Sequence, residues 1–96
     1  MSDSQTVWMI LWHHAFRGDR PQAFEIDEVI PEVKKTLQVD EHHARHLVSG
    51  LLVELERLPD GAQYFRREGN AVVPLPELLG VPKNDRAEFA SYPFEL

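Results

Sequence analysis

Up to Leu58 the apolar residues of this chain recur every three or four positions, and beyond Ala62 they alternate with polar ones. The first spacing belongs to amphipathic helices and the second to strands. Trp8, Leu11, Trp12 and Ala15 mark a first helix, flanked by Met9, Ile10 and Phe16. Ser2 followed by Gln5 has the form of a capping box at its start, and Gly18, Asp19 and Pro21 stop it. Its apolar surface covers more than half its circumference, which places it centrally. Ile26, Val29, Ile30, Val33 and Leu37 stripe a second helix. Asp27 is its expected cap, and Pro31 is expected in or just after the first turn, where a missing donor costs least. Lys34 and Lys35 suit the negative end of its dipole. Only Gln38 and Val39 separate it from a third helix, capped by Asp40. Ala44, Leu47, Val48, Leu51, Leu52, Leu55 and Leu58 give that helix one broad apolar face. Gly50 inside it costs roughly 1 kcal/mol relative to alanine. Close approach of a neighbouring helix is the expected reason.

Two weaker signals complete the pattern. Phe24 and Ile26 alternate with Glu25 and Asp27, predicting a short extended piece. Gln63-Tyr64-Phe65-Arg66 and Ala71-Val72-Val73 flank Arg67-Glu68-Gly69-Asn70, in which glycine and asparagine supply the positive-φ positions of a hairpin. Pro74 and Pro76 end the second strand. Leu78, Leu79 and Val81 are expected to pack back on the core. Residues 82–96 are expected to form a coil tail with Phe89, Tyr92 and Phe94 as anchors. The length of 96 residues corresponds to one domain, spanning 1–96.

The order is helix, short strand, helix, tight turn, long helix, hairpin. It resembles the winged helix-turn-helix superfamily over the Ile26–Leu37 helix, the Gln38-Val39 turn, the Asp40–Leu58 helix and the hairpin Ala62–Leu75. The expected class is therefore α+β: a small winged-helix-like domain of three helices with a C-terminal β-hairpin and a short extra strand. The resemblance implies that the third helix faces a nucleic-acid groove through Glu41, His42, Arg45, His46 and Ser49. It also implies that Arg66 and Arg67 lie near the tip of the wing. His43 joins His42, Arg45 and His46 as a candidate phosphate or base contact. The helix departs from the superfamily's usual pattern by opening on Asp40 and Glu41 and carrying a single arginine. Many winged helices bind proteins instead.

Charge sharpens this alternative. The net charge of −6 opposes a broad phosphate footprint and leaves room for a local one. Residues 19–41 hold seven acids against three bases, whereas residues 62–75 hold Arg66 and Arg67 against Glu68 alone. There are no cysteines, so disulfides, thiolate metal sites and thiol nucleophiles are excluded. No stretch approaches a membrane span, and a cytoplasmic setting is expected. His42 and His46 share a helical face at metal-chelating spacing, but Glu41 points away from that edge and the other candidates, His13 and His14, lie on another helix, so neither metal nor cofactor is expected. Trp8 and Trp12 read as core, with indole N–H groups that should find partners or solvent. No catalytic constellation is present, and an enzyme is not expected. Two readings remain: contact with duplex nucleic acid in a regulatory role, or a protein-interaction module. A second copy of the chain is among the partners left open.

Overall fold

The computed structural model describes residues 2–18, 20–59 and 63–76. The elements run α1 (Asp3–Ala15), β1 (Phe24–Glu25), α2 (Ile26–Leu37), α3 (Glu41–Glu56), β2 (Phe65–Glu68) and β3 (Ala71–Pro74). The described residues form an α+β fold: three helices and a three-stranded antiparallel sheet of order β1-β3-β2. The expected packing of Leu78, Leu79 and Val81, and the tail at 82–96, lie outside the described residues.

The capping box of α1 forms as its sequence predicts. Gln5 N–H donates to Ser2 Oγ at 3.2 Å, and Ser2 N–H donates to Gln5 Oε1 at 2.8 Å. Val7, Trp8, Ile10, Leu11, Trp12 and Ala15 are buried, so the helix is central. The Trp8 ring lies edge-on to Phe65 at 5.4 Å and tilts against Tyr64 at 5.9 Å. Its Nε1 is buried without a hydrogen-bond partner among the described residues, contrary to expectation. Packing among rings sets its orientation, at the cost of an unpaired donor, about 1–3 kcal/mol.

In α2 the cap differs from the predicted one. Glu25 holds the N-cap position, and its N–H donates to the Glu28 carboxylate at 2.7 Å. Asp27 is already inside the helix. Pro31 consequently lies beyond the donors that lack helical acceptors, so its absent N–H removes one ladder bond. Ile26, Val29, Ile30 and Val33 are buried, and Leu37 is half-buried. The helix ends at Gln38, whose φ of 56° is left-handed and whose N–H donates to the Lys34 carbonyl. Arg17 pairs with Glu28 at 3.2 Å and His14 with Glu32 at 3.6 Å, joining α1 to α2.

Asp40 caps α3 by accepting from the His43 N–H at 2.7 Å. Ala44, Val48, Leu51, Leu52 and Leu55 are buried, on the predicted phase. At the far end the Gln63 side chain donates to the Glu56 and Leu58 carbonyls, satisfying groups the helix leaves open. The expected reason for Gly50 is overturned. It is exposed, and a Cβ built there meets no described residue within 4 Å, so no described helix approaches.

The sheet also corrects the predicted hairpin. Pairing runs from Phe65↔Pro74 to Glu68↔Ala71, so Arg67 and Glu68 are strand residues and the turn is Gly69-Asn70. Only Gly69 has positive φ, 63°, which fits a two-residue turn with glycine first. β1 adds to the edge of β3 through Phe24↔Val72 and Glu25↔Ala71. Ile26 N–H donates to the Asn70 carbonyl at 2.8 Å, pinning the turn to the start of α2. Phe24, Phe65 and Val72 complete the core beneath the helices.

Candidate functional site

The residues singled out by sequence fall on α3 and the hairpin, and the structure sorts them into three groups. The period of α3 sets the first. With Ala44, Val48, Leu51, Leu52 and Leu55 turned inward, His42, His46, Gly50 and Val53 follow one another along the opposite side. All four are exposed, and His43 is exposed one step round. Between residues 42 and 53 there is no acid. Val53 is 47% exposed, one of two large apolar side chains so placed among the described residues; Met9 is the other, at 38%.

Arg67 and Ser49 form the second group. Phe65 points into the core, so strand alternation turns Arg67 toward the same side of the sheet and Arg66 toward the other. Arg67 reaches α3, where its Nη1 donates to Ser49 Oγ at 3.3 Å; its Nε donates to the Gly69 carbonyl at 2.8 Å. Among the described residues no carboxylate pairs with Arg67. One permanent cation of the hairpin is thereby set beside the acid-free face of α3.

The remaining arginines are occupied. Arg45 donates to Asp27 at 2.6 Å and to Glu41 at 3.3 Å. Asp27 also accepts from Asn70 Nδ2 at 3.1 Å, so the start of α2, the first turns of α3 and the hairpin tip meet in one network. The Arg45 hydrogen bond holds the Asp27 carboxyl below its ordinary range, and the two carboxylates raise the guanidinium of Arg45. Arg45 and Glu41 were expected to face a groove; here one guanidinium is set against the two carboxylates of Glu41 and Asp27. Arg66 pairs with Glu68 at 2.7 Å on the outer side of the sheet and does not join the α3 surface.

His42 and His46 thus lie along the exposed side of α3, with His43 one step round and Arg67 bonded to Ser49, while Arg45 and Arg66 are engaged with carboxylates. Sequence reasoning missed Asp27 and Asn70, which control Arg45, and it missed the exposed pair Gly50 and Val53. The second pair was accessible from helical phase, since both lie on the His46 side. The first was not, because Asp27 and Asn70 are distant from Arg45 along the chain. No group of three or more His, Asp or Glu able to hold a metal occurs among the described residues. No described helix is long and apolar enough to cross a membrane. Comparison with protein-family models, curated proteins and solved structures gives no match.

Proposed function

We propose that the chain is a winged-helix-like binding module that contacts nucleic acid locally, through the exposed side of α3 and the inner arginine of the wing. The order α1-β1-α2-α3-β2-β3, with β1 on the edge of the hairpin, supports the winged-helix reading. That resemblance assigns groove contact to α3. One observation carries the function: Arg67 bonds Ser49 on α3, so a cation and a hydroxyl adjoin the exposed helix side that carries His42 and His46, with His43 one step round. Phosphate oxygens accept from all three group types.

The surface is small and surrounded by acids, so affinity at neutral pH is weak. Fluorescence anisotropy with a random duplex of about 20 base pairs tests the proposal at low and moderate salt. Arg67→Ala is expected to weaken binding and to reduce the log–log salt slope by about 1. Arg66→Ala, on the other side of the sheet, is expected to change affinity less than about twofold. Equal losses from both variants would mean that charge, and not this face, attracts the duplex.

Exposed Val53 beside Gly50 favours a second reading, in which the same face docks a protein. Apolar surface next to an unbranched backbone suits close packing better than it suits phosphate. Absence of duplex affinity at low salt and pH 6 would select this reading.

A further inference from the structure

We infer that His42, His43 and His46 make nucleic-acid contact by α3 conditional on acidity, so that the face binds phosphate weakly at neutral pH and strongly below it. The inference rests on the nucleic-acid reading above. Its basis is the disposition of charges around one helix face. In most basic surfaces arginine and lysine supply permanent charge. Here Arg45 is held between Asp27 and Glu41, and Arg66 is held by Glu68. Arg67 supplies the one permanent positive charge on this face that no described carboxylate pairs with. The three imidazoles are exposed, and none makes an ion pair with a described residue. Imidazole is the side chain whose ordinary titration falls between about pH 5 and 8. Protonation therefore takes the face from one positive charge toward four.

Most neighbouring acids are engaged elsewhere. On α3 itself Asp40 is the helix cap, Glu41 is engaged with Arg45 and Glu54 with Arg57, and Glu56 is exposed in the last turn, beyond the histidines. From α2, Asp27 is bound to Arg45 and Asn70, while Lys34 and Lys35 stand at the end nearest the turn into α3. From the hairpin, Glu68 is bound to Arg66. From α1, His14 and Arg17 pair with Glu32 and Glu28 of α2. β1 brings Glu25, whose carboxylate accepts from Asn70. Asp27, held low by Arg45, stays ionised throughout the window in which histidines titrate. Each added imidazolium can neutralise one phosphate, which both tightens binding and makes it more sensitive to salt.

The test measures duplex affinity at about pH 7.5 and about pH 5.5 over a salt series, for the intact chain and three variants. The wild type is expected to bind at least about tenfold more tightly at the lower pH at low salt, with a salt slope steeper by up to about 3. The triple variant His42→Gln, His43→Gln, His46→Gln should lose this response, binding at about pH 5.5 no more tightly than it does at about pH 7.5. Far-UV circular dichroism checks that it remains helical, and the single variants His42→Gln and His46→Gln should each remove part of the response. His13→Gln, on α1, is the control for overall charge and should respond as the wild type does. Binding that is equal at the two pH values, or a triple variant that still responds, overturns the inference and leaves the nucleic-acid reading standing. No binding at any pH or salt overturns both.

Discussion

Gly50 shows how far a single residue can be read without its surroundings. Its position inside a helix was evident, and so was its cost. Its reason was not, because the reason depends on what stands opposite, and none of the described residues does. The consequence is measurable. Gly50→Ala adds a methyl group to open space and removes backbone freedom from the unfolded chain, so it should stabilise the domain by about 1 kcal/mol. For a domain of this size that is a rise of roughly 4–8 °C in melting temperature. A fall would mean that the helix approaches another group there. Arg45 makes the complementary case. Its exposure phase was predictable, but its charge is cancelled by Asp27, which lies on another helix.

At the scale of elements, local signals were sufficient wherever the determining contacts are themselves local. Ser2 and Asp40 cap α1 and α3 as their side chains suggest, and the inward phase of α3 follows from its leucines. The misplaced start of α2 has a physical cause. Asp27 is an adequate cap in isolation, but β1 carries extended backbone up to Glu25, and pairing of Glu25 with Ala71 decides where the helix begins. The hairpin shows the same limit: register against Val72 and Ala71 draws Arg67 and Glu68 into β2 and leaves a turn of two residues. The predicted phase of α3 can be tested at Leu51, which is 4% exposed. Leu51→Asp places an uncompensated charge among α1 and α3 apolar groups and should abolish cooperative thermal unfolding. A variant melting within a few degrees of wild type would contradict the packing of α1 on α3.

At the scale of the molecule, pairs of opposite charge link the start of α2 to both other helices. Asp27 is lowered from 3.8, chiefly by the Arg45 hydrogen bond, and Glu28 from 4.5, chiefly by the Glu25 N–H and then by Arg17. A carboxyl whose folded-state value is depressed contributes stability above its unfolded value and loses it as pH falls through the folded value. These two groups therefore leave stability level above about pH 4.5 and make it decline below. Melting temperatures measured from pH 7 to pH 3 should follow that course. The double variant Asp27→Asn, Glu28→Gln should show a shallower acid decline; an unchanged decline would place the acid sensitivity elsewhere. These two carboxyls therefore withdraw no stability at the pH values where acid-dependent binding is to be measured. The pairing of Phe24 with Val72 has a further consequence, for the order of folding. The three helices close over contacts between neighbours in the chain, but β1 must wait for a partner half the chain length away. Loop closure of that span is slow compared with helix formation. During synthesis α1, α2 and α3 are therefore complete before Phe65 and Val72 arrive, and Trp8 stays uncovered until the hairpin docks. A late change in tryptophan emission after the rise of helical signal is the expected kinetic signature.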